Sequence, residues 1–259
     1  GFWPLFLIAA CTAVFLSPVM PVCESLTMLH AMRGQIDYGR VRLWGSISFI
    51  LATFAGGELL GGWSADAILW AIIASTAVTI VVAACLPDTR SELVTRRRGA
   101  FLQLARHRVL LLFIVTVGLL ASSHAALYAF GTIHWRQAGI EDRVIGLLWG
   151  EGVVAEILLF LVGGAFMRRI HPGDAMLLAA AGGVLRWTVL ALTTEPWALF
   201  AVQWLHALTF GAAHLGGMAF IARAAPAGFS ATVQSLYAAL GMGAAAALAI
   251  LLVGPVYAA

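Results

Sequence analysis

Charge is what this sequence has little of. Of 259 residues only 10% are acidic or basic, and lysine is absent, so all 15 basic residues are arginines. A soluble domain carries about 25% charged and about 45–50% apolar residues. Here hydrophobic residues reach 62% and the mean hydropathy is +0.96. That composition excludes a soluble globular enzyme and a disordered chain, and points to a membrane protein. Cysteine is scarce too: Cys11, Cys23 and Cys85 lie in apolar stretches without C-x-x-C spacing. Neither a disulfide framework nor a zinc site is expected, and the three read as helix-packing residues. No charged n-region with a short apolar core opens the chain, so no removable signal peptide is expected. The signatures G-x-x-x-x-G-K-[ST], G-x-S-x-G and H-E-x-x-H are missing, and no G-x-G-x-x-G precedes a helix. Without a phosphate-cradling loop, ATP-driven transport within this chain is disfavoured.

Long apolar runs are what the chain has instead. A membrane helix needs about 20 mostly apolar residues. Cutting at charges and Gly/Pro clusters gives eight such runs: Phe2 to Glu24, Leu43 to Gly62, Ala65 to Leu86, Val109 to Ile133, Val144 to Phe166, Ala175 to Leu192, Trp197 to Ile221 and Phe229 to Val256. The expected fold is all-α and polytopic. Arginines alternate between the links: Arg33, Arg40 and Arg42 after the first run, Arg90 to Arg108 after the third, Arg168 and Arg169 after the fifth, and Arg223 after the seventh. Only Arg136 and Arg143 lie on the opposite side. Cytoplasmic loops hold the arginine excess, so the odd-numbered links are expected inside the cell. The run Arg96-Arg97-Arg98 reads as an orientation signal or a contact to anionic lipid, and no nucleic-acid partner is expected. The most basic link, Pro87 to Arg108, reads as a cytoplasmic hinge between two halves. Glycine pairs at 56–57, 61–62, 163–164, 182–183 and 216–217 suit closely approaching helices that rock or slide.

Ionisable side chains inside a span are costly, so each is a candidate functional residue with a partner to be found. The runs hold several, among them Glu24, Glu58, His124, Glu151, Glu156, Arg186, His206 and His214. Glu156 and Arg186 both fall near mid-span at about 1.5 Å of rise per residue, and mutual pairing is the economical arrangement. That pair is either a static lock between two helices or a carboxylate whose proton and partner change during a cycle. Gln203, His206, Phe210 and His214 follow at offsets of 3, 7 and 11, which places them within roughly 80° of a helical arc facing a cavity. His206 and His214 stand two turns apart, roughly 12 Å, too far for one metal ion. Histidine there suits proton transfer or hydrogen bonding to an anion, or is simply satisfied by a neighbouring hydroxyl. Trp149, Gly152, Val153 and Glu156 share a face, from which Glu151 is turned by about 140°. His124 and Tyr128 are an i, i+4 pair. Trp63, Trp135 and Trp197 read as interface anchors.

The segment Ser17-Pro18-Val19-Met20-Pro21-Val22-Cys23-Glu24-Ser25-Leu26, followed by Asp37-Tyr38-Gly39-Arg40-Val41-Arg42-Leu43-Trp44-Gly45-Ser46, resembles a branch of the major facilitator superfamily, the 3-phenylpropionic acid transporter family, related to nucleoside and oligosaccharide proton symporters. Further matches are His124-Ala125-Ala126, Trp149 with Gly152 to Glu156, Arg186-Trp187, and Gln203 through His206 to His214. The resemblance implies a major facilitator fold in which this chain supplies eight of twelve helices, as a fragment lacking the first three and the last. Residues 1–87 would then be the last three helices of the N-terminal half, 88–108 the basic central loop, and 109–259 the first five helices of the C-terminal half. Glu24 stands where the family usually has aspartate, and Glu151 falls where no acid is associated with it.

The resulting expectation is a monomeric inner-membrane transporter taking up a small organic solute, such as an aromatic monocarboxylate, with protons as coupling ion and no cofactor. Glu156 or Glu24 would carry the proton. Arg186 would balance Glu156 or receive the solute's carboxylate. His124, Tyr128, Trp149, Gln203, His206, Phe210 and His214 would line the cavity, and Asp37, Arg40 and Arg42 would form a cytoplasmic charge latch. A sugar or nucleoside symporter, an exporter, an intramembrane enzyme using Glu156, His206 and His214 as acid and base, and a non-transporting sensor or remnant are the alternatives.

Overall fold

The computed structural model describes residues 2–16, 19–62, 66–86, 107–225 and 229–258, and among them there is no strand. The central basic link, apart from its last two residues, lies outside the described residues, as do the side chains of Glu58 and Trp63. The helices before that link are α1 (Phe2–Leu16), α2 (Val19–Met32), α3 (Tyr38–Gly62) and α4 (Asp66–Ala84). After it come α5 (Arg108–Ser122), α6 (Ala125–Gln137), α7 (Asp142–Leu161), α8 (Gly163–Arg169), α9 (Pro172–Leu192) and α10 (Pro196–Gln203). A wide-turned segment π1 (Ala207–Ala212) leads into α11 (Ala213–Ala224). Then follow α12 (Ser230–Leu236), a second wide-turned segment π2 (Tyr237–Ala244) and α13 (Ala245–Ala258).

Every predicted apolar run is helical where described, but several runs are broken helices. Six stretches among the described residues are long and apolar enough to cross a membrane: Phe2–Met32, Arg108–Gln137, Asp142–Leu161, Pro172–Leu192, Pro196–Ala224 and Thr232–Tyr257. Leu69–Ala84 is a shorter apolar helix. The break between α5 and α6 has a local cause. Ser123 Oγ and His124 Nδ1 both donate to the Leu120 carbonyl, at 2.7 and 3.0 Å, a side-chain alternative to the helical ladder. Start signals act elsewhere: His171 accepts from the Gly173 amide at 3.2 Å with Pro172 in the first turn of α9, and Pro196 opens α10. Wide turns such as π1 and π2 rotate the following side chains off the α register and recur at functional sites.

Large apolar side chains such as Leu7, Ile8, Leu112, Leu177 and Leu251 face outward along the helices, the pattern expected where lipid is the solvent. Among the described residues, two apolar clusters hold the interior. One joins Met28 of α2 to Leu110, Phe113 and Val117 of α5, Met218 and Ile221 of α11, and Val233 and Tyr237. The other gathers Leu127, Trp135, Ile140, Ile145, Leu148 and Leu199.

The helices before and after the central link meet mainly along α3 against α7 and α8, and along α2 against α12. Glycine makes the first approach possible. A Cβ on Gly39 would lie 2.5 Å from the Phe160 carbonyl oxygen and 3.4 Å from the Gly163 Cα. This crossing joins the arginine-bearing start of α3 to the junction of α7 and α8, and it aims the next turns of α3, with Arg42 and Ser46, at Glu156 in the second half of α7. Gly39→Ala should therefore force the helices apart. Overpacking of this kind costs about 1–3 kcal/mol, and the apparent melting temperature of the purified protein should fall by several degrees. Gly146→Ala, whose Cβ would meet nothing within 4 Å, should leave it unchanged.

Candidate functional site

Glu156 is buried in the second half of α7 with neighbours from α3 and from the segment that leads into π1. Ser46 Oγ donates to its Oε1 at 2.8 Å, Arg42 Nη2 stands 3.9 Å from the same oxygen, and His206 Nε2 lies 3.5 Å from Oε2. Arg186 of α9, 1% exposed, lies on the far side of His206. Its Nη1 donates to His206 Nδ1 at 3.1 Å and to Thr209 Oγ1 at 3.1 Å, and its Nη2 donates to Gln203 Oε1. The Gln203 amide in turn donates to the Leu148 carbonyl at 2.8 Å.

The direction of these bonds follows from chemistry. A guanidinium only donates, so His206 Nδ1 must accept and its ring proton sits on Nε2, toward Glu156. Thr209 takes the arginine proton on its oxygen and gives its own to His124 Nε2 at 3.2 Å, while His124 Nδ1 donates to Leu120. The expected direct pairing of Glu156 with Arg186 is thus replaced by a relay, Arg42–Glu156–His206–Arg186, with His206 between the two buried charges. The reason is reach: Ser46 and Arg42 arrive from α3, an element whose contact with α7 the α-helical periodicity of one chain segment does not reveal.

A second polar cluster bridges the two parts of the chain. Tyr38 OH, at the start of α3, donates to Glu24 Oε2 of α2 and stands 2.7 Å from His214 Nε2 of α11. Having donated its proton to Glu24, the hydroxyl accepts from the imidazole, and His214 Nδ1 then accepts from Tyr237 OH at 3.2 Å. Arg42 Nε lies 3.8 Å from Glu24 Oε1, so one guanidinium faces both carboxylates. Arg42 is therefore separated from the other residues of the expected latch. Asp37 Oδ1 instead accepts from the Arg40 amide at 3.0 Å at the start of α3, and Arg40 is exposed.

A chamber of about 740 Å³ lies beside Glu156, lined by Met20, Arg42, Gly45, Ser46, Phe49, Tyr128, Thr132, Trp149, Gly152, Val153, Glu156, Arg186, Gln203, His206 and Phe210. The predicted faces of α7 and of the Gln203 to Phe210 stripe do line it. His214 lies farther along, its ring stacked on Phe210 at 6.2 Å, as Phe210 is on His206 at 5.4 Å. Trp149 Nε1 donates to Thr132 at 3.0 Å, which holds the indole against the chamber wall. Glu151 does not line it. Sequence reasoning missed Ser46, Tyr38, Thr209 and Tyr237. Tyr38, Arg42 and Ser46 recur at i, i+4 and i+8, a signal of one shared face, whereas nothing local marks Tyr237. Among the described residues no group of three His, Cys, Asp or Glu is placed to hold a metal ion.

The sequence profile described as the MFS_1 like family matches residues 1–259. The chain is 33% identical over 250 residues to the "Probable 3-phenylpropionic acid transporter" of Escherichia coli (strain K12), covering 94% of this chain and 65% of that protein. It is 24% identical to the "Uncharacterized transporter YwbF" of Bacillus subtilis (strain 168), covering 93% and 61%, and 26% identical to the "Maltose permease" of Geobacillus stearothermophilus, covering 88% and 58%. The chain thus spans less than two thirds of the length of the curated relatives it matches. With its multiple membrane-spanning helices and a match over its whole length, the chain belongs to the MFS_1 like family of the major facilitator superfamily and is a multi-pass membrane protein.

Proposed function

We propose that the intact protein is a secondary transporter that takes up a small organic anion, such as an aromatic monocarboxylate, with protons by alternating access. The observation that carries this reading is the Arg42–Glu156–His206–Arg186 relay on the wall of the chamber. It puts one buried carboxylate between two guanidiniums supplied by different parts of the chain. An entering carboxylate competes with Glu156 for Arg42 and for the donors around Arg186. Once displaced, Glu156 keeps its charge only at a high cost of burial, so it takes a proton and the two loads travel together. The Trp149, Tyr128, Phe49 and Phe210 rings suit a solute with an apolar body. Similarity to a relative named as a probable 3-phenylpropionic acid transporter supports the same solute class. The arginine-rich ends would face the cytoplasm of a bacterial inner membrane. The Gly39–Gly163 crossing, about one turn further in on α8, would then close the inner side, with Trp149 and Thr132 on the outer side of Glu156.

Glu24, Tyr38 and His214 form the contact that must open for solute release inward. Tyr38 has one hydroxyl serving both partners, so its loss releases two groups from different halves. Glu156 carries the coupling proton in this reading, with Glu24 the second carboxylate on the same arginine.

Proteoliposomes containing the intact protein should alkalinise the outer medium when 3-phenylpropionate is added, and not on adding sugars or nucleosides. Glu156→Gln should abolish this proton movement at unchanged expression; wild-type accumulation in that variant removes Glu156 from the coupling role. Of the two hydrogen bonds that Tyr38→Phe gives up, the one to His214 spans the two parts of the chain, and it is worth about 1 kcal/mol, or about fivefold in an opening equilibrium. In a background without the three native cysteines, a cysteine at position 222, in the groove between α2, α3 and α11, should be alkylated about fivefold faster in Tyr38→Phe. Equal labelling rates would show that the Tyr38 cluster does not hold the halves together.

A further inference from the structure

Behind the polar chamber lies a second cavity of about 260 Å³ between α5, π1, π2 and α13. Its wall is apolar: Val117, Leu120 and Ala121 on one side, Met242, Ala246 and Ile250 on the other. Two histidines also border it, yet their ring nitrogens are engaged elsewhere. Those of His124 meet Leu120 and Thr209, and those of His214 meet Tyr38 and Tyr237. They therefore present ring surface to the cavity and no free donor. Tyr128 and Phe210 belong to the walls of both cavities, and Thr209, which borders the small one, is hydrogen-bonded to Arg186, which borders the large one. The cationic seat and the apolar seat are thus one side chain apart.

An apolar cavity of about 150 Å³ is enough to take up a benzene ring. We propose that the 260 Å³ cavity is the specificity subsite for the apolar end of the solute. A ring of phenyl size enters between Tyr128 and Phe210, while the anionic end stays with Arg42 and Arg186 in the larger chamber. The subsite selects an amphipathic solute in which a short spacer separates a carboxylate from a ring. A sugar, hydroxylated all round, would leave its hydroxyls unpaired there, at a cost of several kcal/mol in an apolar site. The idea rests on the transport reading for the anionic half of the solute, but the ring seat is independent of whether anything is carried.

The test uses the detergent-purified intact protein and three probes: 3-phenylpropionate, propionate and the neutral 3-phenylpropan-1-ol. Binding is read as the ligand-dependent rise in apparent melting temperature over a concentration series. Ala121→Phe and Ala246→Leu fill the cavity from opposite walls, and an unchanged melting temperature without ligand identifies the variant that folds. Filling should raise the apparent Kd of both phenyl probes at least tenfold and leave propionate unaffected. Phenyl probes that bind filled and wild-type protein alike, or that do not bind wild type at all, overturn the subsite. An alcohol that binds wild type and is lost on filling upholds it even where neither acid binds; in that case the anion reading alone falls.

Discussion

A guanidinium buried in an apolar helix bundle has to be given hydrogen-bond acceptors, and most of this protein's polar interior is arranged around that requirement. Arg186 donates to Gln203, His206 and Thr209, and each of these passes its own polarity on. Gln203 ties α10 to the Leu148 carbonyl of α7, Thr209 orients His124 at the α5–α6 break, and His206 turns its Nε2 proton toward Glu156. Removing one partner of a buried charge costs about 3–5 kcal/mol because the other is left uncompensated. The relay is therefore a structural constraint on several helical segments, with His206 as the one side chain that touches both Arg186 and Glu156.

The second arginine extends this polar system across the boundary between the two parts of the chain. Arg42 faces Glu24 at 3.8 Å and Glu156 at 3.9 Å, neither a short contact, so it is shared and not locked to one carboxylate. Its guanidinium also stacks over Phe160 at 5.3 Å. The position of Arg42 depends on backbone contact one turn earlier, where Gly39 lets α3 lie on the end of α7. Packing at a glycine crossing thus sets the electrostatics of the chamber. The same α3 carries Tyr38 to His214, so the polar bridge, the interhelical crossing and the shared arginine all lie within the first two turns of one helix.

The chamber and the smaller apolar cavity behind it differ in what their histidines are joined to. His206 links the charged Arg186 and Glu156 on the wall of the larger chamber, whereas His124 and His214 spend their nitrogens on hydroxyl and carbonyl neighbours and offer ring surface to the smaller cavity. Residues of one type therefore line surfaces of opposite polarity.

The all-α, membrane-spanning character was legible in composition and run length alone, because burial in lipid demands long apolar helices whatever the tertiary arrangement. Helical periodicity was sufficient to put Trp149, Gly152, Val153 and Glu156 on one face and Gln203, His206 and Phe210 on another, since those faces are properties of single helices. It could not place Thr209 on Arg186. After His206 the chain leaves α-helical geometry, and even an ideal helix spreads positions 203, 206 and 209 over about 120°. Nor could it pair Glu156. Depth in the membrane made Arg186 the natural partner, but depth is one coordinate, and Ser46, Arg42 and His206 were nearer in the other two. Which residues exist to be satisfied is written along the chain; which of them satisfy one another is decided by how helices cross, and here by a glycine contact between segments more than a hundred residues apart.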